Sequence, residues 1–330
     1  MIANNFKTPA RLAIATLALL ATAPSFAQAP APADKAPIRL IVSVPAGGSI
    51  DLIARLMADK LKESLNEPVV IENRGGAGGR LAMAEVKKSP PDGRTIYIGT
   101  SGPFTVLPNI YGDKLEYDAI KDYTPIGRLV RFDLAFAAGP AVPAKNIKDA
   151  IAWARANPGK ASFGTPGPGT TSHFVGVMIA KATGVTLTHV PYKGGTPAIN
   201  DVIGGHLPFI VNSFADMFEQ HKAGGLTILA DAGPKRSPLE PAIPTLRESG
   251  IDVAADVAID AYFPANTSAD LVKRMNKAMT DAINSPDVTQ RMRVYGLFPA
   301  TTGPEELVKL QMEETKMWAQ PIKDSGFTGE

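Results

Sequence analysis

Two glycine-rich turns put hydroxyls and backbone N–H groups where they could hold an anion. "SVPAGGSID", Ser43–Asp51, joins an apolar run to an amphipathic one, and "PGPGTTSH", Pro166–His173, joins "ASFGT" to "FVGVMIAKATG". Each reads as the end of a strand and the start of a helix. Unpaired N–H groups and the positive end of the helix dipole then face whatever the turn holds. Ser49 stands in the first turn, and Thr170, Thr171 and Ser172 in the second; Asp51 adds charge to the first helical turn. Any one hydroxyl, Thr171 for instance, could simply cap its own helix, a contribution of about 1 kcal/mol. Capping does not explain why both turns carry more glycine than a cap requires.

Other chemistries find less support. The first turn lacks the lysine and spacing of a P-loop. The second resembles a dinucleotide fingerprint, but Ser172 occupies the third glycine position, and the following strand, "VTLTHVPY", does not end in the acid that would hold a ribose. Ser172 and His173 are neighbours on a helix and cannot face each other as nucleophile and base. The four histidines (173, 189, 206 and 221) lack metal-ligand spacing, and with no cysteine the chain has no thiol chemistry or thiolate ligands. The reading is therefore binding, with no catalysis, cofactor or metal. An exported α/β hydrolase is the competing enzyme class.

The turns must be positioned by strands and helices, and the sequence alternates them. "IRLIVSV" has the continuous apolar character of a buried strand. In the segment after it, Ile53, Leu56, Met57 and Leu61 share one helical face, and Arg55, Asp59 and Lys62 the other. "PVVIEN", "RLAMAEVKKS" and "TIYIGTS" continue the alternation, which restarts with "IKDAIAWARANPGK" and "ASFGT"; the tail is mostly helical, with Pro304 at the first position of the last helix. This predicts an α/β fold with a parallel sheet covered on both faces. The 330 residues, 45% apolar, suit about two domains. A net charge of +2 without a long basic run argues against nucleic acid as a partner.

Lys7 and Arg11 precede the apolar run Leu12–Ala23, and small residues stand at Ser25 and Ala27. That is the pattern of a signal peptide, residues 1–27, cleaved after Ala27; the apolar run is shorter than the roughly 20 residues that span a bilayer. "QAPAPADK", 28–35, reads as a flexible leader, and the mature chain as periplasmic.

Several stretches, in order and at consistent spacing from Pro37 to the C-terminus, resemble the receptors of tripartite tricarboxylate transporters, the Bug family. They are "IRLIVSVPAGGSIDLIARLMADKL", "VVIENRGGAGG", "PDGRTIYIGT", "ANPGKASFGTPGPGTTSHFVGVMI", "THVPYKGGTPAINDVIGGH" and "KRSPLEPAIPTLRESG". The resemblance implies a two-lobed periplasmic-binding-protein-like fold with a ligand cleft and a hinge of two crossover segments. It implies capture of a small carboxylate for a membrane permease pair, or sensing of the same ligand. By position, the pocket would take Ala46, Gly47, Gly48, Ser49 and Asp51 with Thr100 and Ser101 from one lobe. Gly167, Thr170, Thr171, His173, Tyr192, Lys193, Asn212 and Ser213 would come from the other. The family often has Asp where Asn212 stands and Thr where Ile50 stands. Lobe 1 is expected at 36–127 with 233–330 and lobe 2 at 128–232, with crossings near "PIGRLVRF" and "LTILADAG", in a monomer. One carboxylate with three charged hydrogen bonds gains about 4.5–9 kcal/mol before ordering costs, which barely reaches micromolar affinity. A second polar anchor toward Ser101, Tyr192 or Asn212 is therefore expected. Phe104 and Phe214 read as core that could leave room for an aromatic body.

Overall fold

The computed structural model describes residues 36–329, apart from Gly48 and the side chain of Ser49. The signal-peptide and leader readings, Gly48 and the Ser49 hydroxyl lie outside the described residues. The chain opens with β1 (Ile38–Val42), α1 (Ser49–Leu65), β2 (Val69–Asn73), α2 (Arg80–Lys87), β3 (Thr95–Thr100) and the short helices α3 (Gly102–Thr105) and α4 (Leu107–Tyr111). The long strand β4 (Tyr123–Ala138) leads to α5 (Ile147–Ala156), β5 (Ser162–Thr165), α6 (Thr171–Thr183), β6 (Thr188–Pro191), α7 (Gly195–Ile203), β7 (Phe209–Ser213), α8 (Phe214–Lys222) and β8 (Thr227–Asp231). The chain closes with β9 (Asp256–Pro264), α9 (Ala269–Asn284), α10 (Pro286–Val294), β10 (Leu297–Pro299) and α11 (Pro304–Ser325).

The strands run in the order β2-β1-β3-β9-β4-β7-β5-β6, with β8 and β10 also paired to β4. Parallel pairing joins β1 to β2 and β3, and β5 to β6 and β7. All pairings of β4 and β9 are antiparallel, so the wholly parallel sheet expected from the alternation is corrected to a mixed one. The cause is β4 itself. It pairs with β9 from Tyr123 to Asp133, then with β7 and β8 from Leu134 onward, so one strand serves both lobes.

Both faces of the sheet are covered, as expected. Along β1, Leu40 and Val42 pack with Ile53, Met57 and Leu61 of α1 and with Met279 and Ile283 of α9, while Ile41 points to the other face with Tyr97, Phe104 and Tyr262. The second lobe packs Phe136, Phe163, Phe174 and Phe209 on one face and Ala135, Ile210, Phe214 and Met217 on the other. Helix α11 belongs to both lobes: Leu307 joins the Tyr97–Tyr262 cluster, whereas Trp318 and Ile322 join the cluster around Phe163. Phe104 and Phe214 are both core; Phe104 stacks on Tyr262 at 3.7 Å.

Candidate functional site

Strand directions aim the two glycine turns toward the same stretch of β4. β3 is antiparallel to β9, and β9 to β4, so β1 and β3 run the same way as β4 and end toward the second lobe. β7 is antiparallel to β4, and β5 is parallel to β7, so these end toward the first lobe. The carboxyl ends of both sets of parallel strands thus converge on the stretch of β4 where it changes partners, the position at which open α/β sheets bind ligands. Thr100 and Ser101 close β3 near the level of Arg131, since the Ser101 N–H donates to the Ala258 carbonyl and Ala258 pairs with Arg131. Asn212 and Ser213 close β7 opposite Ala135 and Leu134.

The first turn is held by its own acid. Asp51 is 3% exposed, and its carboxylate accepts from the Gly47 N–H (2.9 Å), from Arg55 Nε and Nη2 (2.9 and 3.1 Å) and from Asn73 Nδ2 (3.0 Å). Burial disfavours the charge, but Arg55, the Gly47 N–H and Asn73 outweigh it and hold the carboxyl below its ordinary value. Both oxygens of Asp51 are therefore occupied inside the protein. Ala46 and Gly47 are exposed, and Gly47 takes φ 94°, the left-handed region that glycine adopts without strain. Sequence reasoning missed Asn73, whose Nδ2 also donates to the Val44 carbonyl at 3.1 Å. Its place at the end of β2, beside a turn rich in unpaired groups, was the available signal.

The second turn is built on hydroxyls and imidazoles. Thr170, not Thr171, caps α6: Thr170 Oγ1 accepts the His173 N–H at 3.3 Å and donates to the Gly167 carbonyl at 2.8 Å. Thr171, the first residue of α6, is half-buried. His173 is buried; its Nδ1 accepts the Gly169 N–H at 3.3 Å, and its ring stacks on His189 at 3.8 Å. His189 Nε2 lies 2.7 Å from Thr165 Oγ1, which donates to the Gly167 carbonyl at 3.0 Å. The histidines thus support the turn from below. Tyr192 also turns inward, donating to Asp201 Oδ2 at 2.6 Å. Lys193 is exposed. Ser213 caps α8, accepting the Asp216 N–H at 3.4 Å.

Asn212 differs from all of these. It is 3% exposed, and its Nδ2 has no hydrogen-bond partner among the described residues. Gly195 makes room for it, since a Cβ there would stand 2.6 Å from that nitrogen. An unpaired amide donor costs about 1–3 kcal/mol, so such a group calls for an explanation outside the chain itself.

Burial lowers the pKa of both stacked imidazoles to about 4, aided at His189 by His173. The unfolded chain binds protons near pH 6.5, where the folded one does not, so their contribution is complete above about 6.5 and falls as the pH drops toward 4. The loss should be on the order of 1 kcal/mol or more for each ring. Imidazole proton resonances followed by NMR should show two rings that remain neutral through pH 6; titration of either near 6.5 would refute the packing described.

Comparisons with known proteins agree with this architecture. The family model for the tripartite tricarboxylate transporter family receptor matches residues 53–327. The UPF0065 protein in the gbd 5′ region of Cupriavidus necator is 32% identical, covering 98% of both chains. A solved periplasmic transporter is 33% identical with a TM-score of 0.80, covering 89% of this chain and 98% of its own. Rpa4515 of R. palustris, solved with adipate, is 28% identical with a TM-score of 0.81, covering 88% and 97%. A match over most of the sequence and a shared fold lead to the same conclusion: the chain is a periplasmic solute-binding protein and belongs to the tripartite tricarboxylate transporter receptor family.

Proposed function

We propose that this receptor captures a small organic acid anchored at two points and acts by binding alone. The observation that carries the reading is the buried, unpaired amide of Asn212, a donor waiting for an oxygen. One carboxylate is held in the first turn, Ala46–Ser49, by groups other than the Gly47 N–H, with Thr100 and Ser101, and in the second turn by Thr171 with the backbone of Gly167 and Thr170. The ligand's other polar end takes the Asn212 amide, with Ser213 and Lys193 at the margin. Asp51, His173 and Tyr192 hold these turns in shape, through the Asp51 carboxylate, the His173 Nδ1 and the Tyr192 hydroxyl, each of which already has a partner. Adipate in the Rpa4515 relative supports a ligand with a polar group at each end.

The expected division, lobe 1 at 36–127 with 233–330 and lobe 2 at 128–232, is adopted with one shift: the first crossing is taken at Asp133–Leu134, where β4 exchanges β9 for β7. The chain is exported with cleavage after Ala27 and delivers its ligand, as a monomer, to the membrane permease subunits of such a transporter. Mass spectrometry of the envelope protein should find Gln28 at its start.

Calorimetry tests the site. Adipate should bind, and its mono-amide should bind more weakly. Asn212→Leu should weaken adipate by about 10- to 100-fold, the equivalent of one hydrogen bond to a charged group. Equal affinity for adipate and mono-amide, with Asn212→Leu unchanged, would refute two-point anchoring.

A further inference from the structure

The point where β4 passes from one lobe to the other is marked by acids that the binding site does not use. Asp133 is the last residue of β4 to pair with β9, opposite Asp256. Asp231 ends β8 and pairs with Ala135, on the second-lobe side of the same strand. The return crossing leaves at Asp231 and arrives at Asp256. Asp133 and Asp231 are 2% and 0% exposed, and the Oδ2 of each has no hydrogen-bond partner among the described residues. They are close together: a Cβ on Gly233 would stand 2.6 Å from Asp133 Oδ1 and 3.0 Å from Asp231 Oδ1.

The charges facing the pair are few. Arg131, on β4, donates to Asp133 Oδ1 at 2.9 Å and lies 3.7 Å from Asp256 Oδ2 on β9. From the crossing, the Gly233 N–H donates to Asp231 Oδ1 at 2.6 Å, and the Ser237 N–H also supports Asp231. From β10, Phe298 presents only its ring, with the Arg131 guanidinium 5.4 Å from its centre. One guanidinium therefore serves three carboxyls, and two buried carboxylates this close cannot both keep their charge.

We propose that Asp133 and Asp231 share one proton, and that capture of an anionic ligand in the cleft, with the lobe movement that accompanies it, is coupled to uptake of that proton. Asp133 is fixed to the first lobe's ladder and Asp231 to the second's, so rotation about the Asp133–Leu134 junction changes their separation. When the junction opens to water, the protonated carboxyl gives its O–H proton to a water molecule, leaving two carboxylates and a hydronium ion. A ligand at Asn212 and Ser213 adds negative charge beside Ala135 and Leu134, and closure excludes water; both favour the protonated pair. Burial pushes Asp133 up to about 6; burial, with the neighbouring Asp133 charge, pushes Asp231 up to about 7. The coupling should therefore act between about pH 6 and 8, where ordinary carboxylic acids are ionised.

The inference rests on the anionic-ligand reading, so the test has one arm without ligand. Difference infrared spectroscopy of the free protein between pH 8 and pH 6 should show the carbonyl band of a buried protonated carboxyl, absent in Asp231→Asn. Calorimetry with adipate in buffers of different ionisation heat should show proton uptake near pH 7. Affinity should rise two- to tenfold from pH 8 to pH 6, and Asp133→Asn or Asp231→Asn should flatten that dependence. Absence of the band, or the same pH dependence in both variants, overturns the proposal. If adipate fails to bind at any pH, the ligand reading fails, and the infrared arm still decides whether the pair holds a proton.

Discussion

Arg128→Met is expected to cost the fold on the order of 3–5 kcal/mol, the usual penalty for removing one partner of a buried ion pair. Arg128 donates through Nε to Asp260 Oδ1 at 2.9 Å and through Nη2 to Asp260 Oδ2 at 3.4 Å, while Nη1 meets Glu314 Oε1 at 2.7 Å. The side chains of Arg128 and Asp260 are 9% and 1% exposed. Burial pushes the carboxyls of Asp260 and Glu314 up, and the guanidinium pulls both back toward the charged form. Without it, each must be buried charged or take up a proton that the unfolded chain does not bind near neutrality. The loss should therefore be larger at pH 8 than at pH 5. Urea denaturation at the two pH values measures it, and Arg128→Met with Asp260→Asn should recover part of it. A loss below about 1 kcal/mol at pH 8 would mean that water reaches the cluster.

Gly176→Val is expected to cost about 3 kcal/mol or more and to weaken ligand binding as well. A Cβ at Gly176 would stand 2.0 Å from Cε2 of Phe163 and 2.5 Å from its Cζ, so the ring cannot stay. Phe163 is 1% exposed and packs on His189 at 5.1 Å. His189 stacks on His173, which accepts the Gly169 N–H of the second turn. Displacing one ring thus disturbs the support of the turn that we assign to the carboxylate. Gly159→Ala is the control: nothing lies within 4 Å of its Cβ position, and restricting the unfolded chain should stabilise by about 0.4–1 kcal/mol. Denaturation and adipate calorimetry on both variants would separate them. A normal Kd in folded Gly176→Val would show that the turn does not depend on Phe163.

The turns and the strands that end in them were legible because they are local. Apolar runs such as "IRLIV" and "TIYIG" stop at glycine or serine, and Ile53, Met57 and Leu61 mark the buried face of α1. β4 and β9 were not. Arg128, Arg131 and Asp133 interrupt the first, which read as a crossing near "PIGRLVRF", and Asp256 and Asp260 interrupt the second, which was not read as a strand. Charges in a strand are tolerable only when partners arrive from far along the chain, as Asp260 and Glu314 do for Arg128. The α6 cap was ambiguous for a different reason. Thr170 and Thr171 are adjacent and chemically alike, and only the backbone decides which hydroxyl meets the His173 N–H. The histidine stack needs β5 and β6 side by side, a pairing that no spacing in the sequence announces.

The order of the sheet also fixes the order in which the protein can be made. β9 lies between β3 and β4, although more than a hundred residues separate it from either in sequence. As the chain leaves the ribosome, β1, β2 and β3 can associate, and so can β5, β6 and β7, while the first lobe keeps an open edge at β3 until Asp256–Pro264 emerges. Such an edge is a template for pairing with other chains. The second lobe's sheet is thus the first whose strands are all at hand, the first lobe's sheet waits on a strand encoded far downstream, and both lobes wait on α11 to close their cores.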